Sequence, residues 1–182
     1  AARVTFSSTM KNVDSRPRRW SIWQVTQLDA GLPRLPAATA PAAPGYNPEL
    51  RFYSPLNPAS VHPRGYVETS GLVNPPAFTT DSAKRMVIGQ YRPLVGKIAA
   101  DNAAGWIACV DGRSGYAFVE RFTYFPEARY PGPGSVEFWL NGEGQIVAGG
   151  KVADLRDQPR YLEMEVLSPL MPMAPGDSHA FH

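Results

Sequence analysis

Apolar and polar positions alternate with period two along most of this chain, in short runs. That is the mark of strands with one face buried and the other wet. In the first run Val4, Phe6, Ser8 and Met10 share one face, and Thr5, Ser7, Thr9 and Lys11 the other. Asn12-Val13-Asp14-Ser15-Arg16-Pro17 has turn chemistry. From Trp20 to Leu28, Trp23, Val25 and Gln27 face one way, and Trp20, Ile22, Gln24 and Thr26 the other. The two runs predict an antiparallel hairpin.

Residues 30–65 break the pattern. Leu35 to Pro44 is rich in Ala and Pro, and prolines recur through Pro63. A short strand at Leu50-Arg51-Phe52-Tyr53 is expected inside a surface excursion of extended character. Long excursions of this kind often wall a cleft.

Regular alternation resumes at Tyr66. Strands are predicted at Gly65–Thr69, Met86–Tyr91, Trp106–Val110, Tyr116–Phe125, Val136–Leu140, Gln145–Val147 and Tyr161–Leu167. Ile98 leads to a turn at Asp101-Asn102. Asp111-Gly112-Arg113-Ser114-Gly115 marks a hairpin. Pro175-Gly176-Asp177 opens a last strand. The only helical patches expected are about a turn each, near Asp81–Arg85 and near Val152–Gln158. With 19 prolines and 16 glycines among 182 residues, long helices have little room. The pattern predicts an all-β, antiparallel β-sandwich built as one domain over residues 1–182.

Composition narrows the partners. Hydrophobic residues are 43% and charged residues 19%, with a net charge of +2. Lys and Arg form no patch beyond Arg16, Arg18 and Arg19, which flank a turn. No nucleic-acid partner is expected. No apolar run reaches the roughly 20 residues of a membrane helix, and no membrane partner is expected. The single cysteine, Cys109, sits in the apolar run Trp106–Val110 and reads as a small buried hydrophobe. It leaves the compartment open, with a periplasmic or secreted location favoured over a cytoplasmic one. The chain begins at Ala1 in a strand-like run and stops at His182 in another. This suggests a part of a longer protein, whose missing N-terminal part would be a partner of this one.

Candidate chemistry lies on strand faces. In Tyr161–Leu167, Glu163 and Glu165 share a face with Tyr161 and Leu167, while Leu162, Met164 and Val166 point to the core. Two carboxylates and a phenol on one face can line a polar cleft. A carboxylate there can take a proton from a sugar hydroxyl or accept its hydrogen bond. The same pattern also suits two ordinary surface acids. Glu137 and Trp139 share a face opposite Val136, Phe138 and Leu140. An indole can stack on the C–H face of a pyranose while a neighbouring carboxylate takes its hydroxyls, although a tryptophan at the edge of the core fits equally. Tyr116, Phe118, Glu120, Phe122 and Tyr124 form a stripe that reads as core, in which Glu120 needs a partner such as an arginine. His62, His179 and His182 have no metal-ligand spacing. No nucleotide or phosphate motif is present, and no cofactor is expected.

Glu137-Phe138-Trp139-Leu140-Asn141, Leu162-Glu163-Met164-Glu165-Val166-Leu167-Ser168-Pro169 and Ala174-Pro175-Gly176-Asp177-Ser178 occur in that order. Together they resemble the closing strands of the galactose mutarotase-like (aldose 1-epimerase) superfamily, and most of all its uncharacterised bacterial members. The segment Asn12 to Trp23 resembles the hairpin before that family's histidine-bearing strand. The resemblance covers about two thirds of the chain. It implies a mutarotase-like supersandwich lacking N-terminal strands, and a carbohydrate held on a concave sheet face. Glu165 would be the general base, with Glu163 as the alternative. Trp139, Glu137, Trp23 and Tyr161 would contact the sugar. Trp23 stands where the family carries its catalytic histidine. The resemblance therefore admits an epimerase-like isomerase or other carbohydrate-active enzyme, and equally a non-catalytic accessory or structural sandwich.

Overall fold

The computed structural model describes residues 2–32, 45–70, 77–148, 151–156 and 158–182. Its two main sheets are each five-stranded and antiparallel. The first contains β4 (Leu50–Pro55), β6 (Phe78–Asp81), β7 (Met86–Gln90), β9 (Trp106–Asp111) and β10 (Tyr116–Arg121), in the order β10-β9-β4-β7-β6. The second contains β3 (Trp23–Asp29), β5 (Val67–Ser70), β8 (Gly96–Ala100), β11 (Val136–Asn141) and β14 (Tyr161–Leu167), in the order β3-β14-β11-β8-β5. Among the described residues three two-stranded ribbons accompany these sheets. They pair β1 (Ser8–Lys11) with β16 (Ser178–Phe181), β2 (Arg18–Trp20) with β15 (Met171–Met173), and β12 (Gly144–Ala148) with β13 (Lys151–Leu155). The protein is an all-β sandwich, as the period-two pattern predicts.

The core forms where the inward faces of the central strands meet. Phe52 on β4 and Phe138 on β11 stack across the two sheets, with ring centroids 4.6 Å apart. Phe78 packs edge-on against Phe52 at 5.6 Å, a favoured aromatic geometry. Leu162, Met164 and Val166 of β14 all turn inward and are buried. Cys109 is buried among them. Burial pushes its thiol up to about 12, so it is inert as a nucleophile. The Tyr91 hydroxyl crosses the layer to donate to the Asn141 carbonyl at 2.7 Å.

Several sequence expectations are corrected. Val4 and Phe6 are exposed and belong to no strand, which begins only at Ser8. The expected hairpin between the first two runs does not form. The buried Asn12 side chain donates to the Met173 carbonyl at 3.0 Å, and its backbone bonds the turn at Gly176 and Asp177. This docks the first turn onto the chain's last one, so β1 pairs with β16. The second run splits in two, because the Ile22 N–H and carbonyl bond Ser168 instead of a sheet neighbour.

Neither helical patch forms. Residues 82–85 are the turn between β6 and β7, where the Lys84 N–H donates to Asp81 and Arg85 takes a positive φ of 55°. The second patch is largely β13. The strand expected at Leu50–Tyr53 is β4, the central strand of the first sheet, so this part of residues 30–65 is core. The Ala/Pro-rich stretch 35–44 lies outside the described residues. β10 stops at Arg121 and is an edge strand. Of the stripe it begins, Phe122 is buried while Tyr116 is 78% and Phe118 41% exposed. Among the described residues Glu120 pairs with no arginine; the Thr26 hydroxyl of β3 is the polar group that favours its charged form, and its Oε1 is buried without a partner.

Gly89 on β7 pairs with Phe52 on β4. A Cβ there would overlap the Phe52 ring. Gly89→Ala must therefore displace the ring that stacks between the sheets. The expected loss is about 2 kcal/mol, measured by urea denaturation. A change below about 0.5 kcal/mol would show that Phe52 repacks freely.

Candidate functional site

Alternation along the central strands of the second sheet turns their other side chains away from the core. β11 sits between β14 and β8, with Glu137 opposite Glu165 and Trp139 opposite both Glu163 and Lys97. β14 continues to β3, with Glu165 opposite Val25, Glu163 opposite Gln27 and Leu167 opposite Trp23. This outer face therefore carries Glu165, Glu163, Glu137, Trp139, Trp23 and Tyr161, the six positions singled out in the sequence.

Their mutual bonding is uneven. At the centre, Lys97 Nζ donates to Glu137 Oε2 at 2.7 Å and to Glu165 Oε2 at 2.8 Å. The Trp23 indole N–H donates to the same Glu165 Oε2 at 2.7 Å. The ammonium also lies 5.1 Å from the centroid of the Trp23 ring, within cation–π range. Glu163 is held apart from this group by the Gln27 amide, at 2.7 Å. The Trp139 indole N–H donates to Asn141 Oδ1 at 3.2 Å, which turns it along its own strand. Tyr161 lies opposite Asn141 and Asp29. Burial, with Glu163 nearby, raises its phenol above the ordinary value. The structure thus joins Glu165, Glu137 and Trp23 through Lys97, while Glu163, Trp139 and Tyr161 flank them.

Lys97 is the residue that sequence reasoning missed. Period two was its signal. In Gly96-Lys97-Ile98-Ala99-Ala100, Lys97 stands opposite the buried Ile98 and within an otherwise apolar strand. A charged residue in such a strand needs a counter-charge. Which strand supplies it depends on pairing across the sheet.

The group is almost closed to water. Glu165 is 0% exposed, and the side chains of Lys97 and Glu137 are 16% and 13% exposed. Gly132 seals the Glu137 side, where a Cβ would lie 3.1 Å from Oε1. Trp23 caps the other side and is itself 57% exposed. Its backbone is held next door by Ile22, whose N–H donates to Ser168 Oγ at 2.8 Å. Burial pushes the Glu165 carboxyl up to about 7, because Lys97 and Trp23 favour its charged form less than desolvation and Glu137 oppose it. Burial alone would lower the Lys97 ammonium, but its two carboxylates outweigh that and hold it above its ordinary value. Glu165 Oε1 has no hydrogen-bond partner.

The arrangement offers a fixed carboxylate of near-neutral proton affinity beneath a half-exposed indole. His62 bonds the Pro133 carbonyl and His179 lies on β16, so neither joins the group. Among the described residues, no set of three or more His, Cys, Asp or Glu could hold a metal ion, and no helix is long and apolar enough to cross a membrane. Comparison with protein-family models, curated proteins and solved structures finds no match to this chain.

Removing Lys97 leaves two buried carboxylates facing each other. Lys97→Met is expected to destabilise the fold by about 3 kcal/mol at pH 8. The cost should shrink at pH 5, where Glu165 holds its proton. A loss that does not change with pH would show that Lys97 contributes by packing alone.

Glu165 and Glu120 set a second expectation. Each is raised from 4.5 to about 7, Glu120 by burial against the weaker pull of the Thr26 hydroxyl. Between those values the folded chain binds more protons than the unfolded one, so stability falls as pH rises through the window. Glu165→Gln and Glu120→Gln should each flatten part of the fall in Tm between pH 4.5 and 7. Unchanged slopes in both variants would place these carboxylates in contact with water.

Proposed function

We propose that this protein binds a carbohydrate on the outer face of the second sheet, around Trp23 and Glu165. The observation that carries this reading is the tethered pair itself. An indole with more than half its surface exposed is fixed by one hydrogen bond to a fully buried carboxylate. A pyranose needs this combination, an apolar plate for its C–H face and fixed acceptors for its hydroxyls. Preorganised groups also lose little freedom on binding. Glu163, Gln27 and Tyr161 extend the polar surface on one side, and Trp139 adds a second aromatic. The resemblance of the closing strands to the mutarotase-like superfamily supports the same ligand class.

A catalytic role for the site is a second reading, favoured by one observation. A carboxyl group pushed to about 7 is poised to exchange a proton near neutral pH. The absence of a histidine beside Glu165, and the two donors already on its Oε2, favour binding without turnover. The protein then acts as a sugar-holding accessory module of mutarotase-like fold.

Binding and turnover separate experimentally. Titration of a panel of mono- and oligosaccharides, followed by protein NMR, should identify a ligand that shifts Trp23 and its neighbours. Trp23→Ala should weaken that ligand about tenfold. If no sugar binds, or Trp23→Ala leaves affinity intact, the site is not a carbohydrate site. Anomer exchange of galactose and glucose, followed by NMR, should equal the rate in buffer. An acceleration lost in Glu165→Gln would establish the catalytic reading instead.

A further inference from the structure

Two carboxylates, Glu137 and Glu165, share a single cation. Lys97 contacts Oε2 of each carboxylate, and the Trp23 bond falls on that same Oε2 of Glu165. Oε1 of Glu165 is shut off from water and has no donor among the described residues. A buried carboxylate oxygen left without a donor costs free energy. The deficit is therefore specific: one donor is missing, and with both carboxylates ionised the local charge is one positive unit short of balance. Glu163 on the adjacent face position adds a further negative charge, already bonded by a neutral amide.

Trp23 is the most exposed member of the group. It sits at the first residue of the edge strand β3, with its ring more than half exposed. One hydrogen bond and the contact with Lys97 hold it in place. A ligand stacked on the exposed ring is brought beside the carboxylate that the indole N–H holds.

Resting on the carbohydrate reading above, we propose that the ligand is an amino sugar, whose ammonium group supplies the donor that Glu165 Oε1 lacks. With it bound, two carboxylates face two ammonium groups, and the buried charge balances. A neutral sugar can supply a hydroxyl donor but leaves the charge deficit. A uronate brings a third negative charge into a low-dielectric site and is disfavoured.

The test is calorimetric or NMR titration at pH 7.5, above the value of about 7 at which Glu165 gives up its proton, with D-glucosamine, D-glucose, D-glucuronate and N-acetyl-D-glucosamine. Glucosamine is expected to bind at least tenfold tighter than glucose, and glucuronate weaker than glucose. N-acetylglucosamine keeps the ring but loses the charge, and should fall to the level of glucose. Glu165→Gln should abolish the preference, so that glucosamine and glucose bind this variant equally. Equal binding of glucose and glucosamine, or N-acetylglucosamine as tight as glucosamine, would overturn the proposal and leave carbohydrate binding standing. If the glutamine variant does not fold, the acetylated sugar decides the matter on the wild-type chain. Failure of every sugar to bind removes the carbohydrate reading and this proposal with it.

Discussion

Lys97 holds two glutamates from neighbouring strands in a place nearly sealed from water. Once β11 and β14 lie side by side, Glu137 and Glu165 face each other directly, and like charges in that position oppose the pairing. The ammonium from β8 removes the conflict by reaching diagonally to both. The second sheet can then bury charge on one face and an apolar core on the other. The Trp23 indole completes the group from the strand on the far side. Four of the five strands of this sheet are thereby linked through side chains as well as through backbone hydrogen bonds.

The cost of that arrangement sits on Glu165. Its carboxylate has lost its water and retains donors on only one oxygen. Nearby positive charge does not fully offset the loss, so its proton is held toward neutral pH. Perturbed carboxyls with an unfilled bond mark sites of function more often than surface acids do. Glu120 is a second buried carboxyl, between β10 and β3 at the open edge of the sandwich. There it meets a hydroxyl and no cation, so its proton affinity rises through burial alone. Two carboxyls with similar proton affinity thus have different surroundings, and the one on the outer face is hydrogen-bonded to an exposed indole.

Much of the fold was legible because strand alternation is a local signal. β7, β9, β11 and β14 fall where the apolar period places them, and the inward faces of β11 and β14 are the predicted ones. The Asp111–Gly115 hairpin is also local, with Gly115 at a φ of 74°. Apart from the two helical patches, the failures are matters of pairing. The run ending at Lys11 has the pattern of a hairpin arm, yet its partner is β16, because Asn12 finds its acceptor on Met173. The stripe from Tyr116 reads as core, yet it opens to solvent because β10 has a neighbour on only one side. The strand expected at Leu50–Tyr53 forms as β4, but its place at the centre of the first sheet was not legible.

For the candidate site the division is similar. Alternation alone placed Glu163, Glu165 and Tyr161 on one face and Glu137 with Trp139 on another, because the direction of a strand side chain depends only on its position in the strand. It could not say that these faces are the same surface, that Trp23 joins them from a strand some 140 residues away in the chain, or that Lys97 stands between them. Those facts depend on strand order and register, which are set by packing between distant segments. Burial, the unfilled bond on Glu165 and its proton affinity follow from that packing in turn. The chain therefore determined by itself which side chains would leave the core, and the tertiary structure decided which of them would meet.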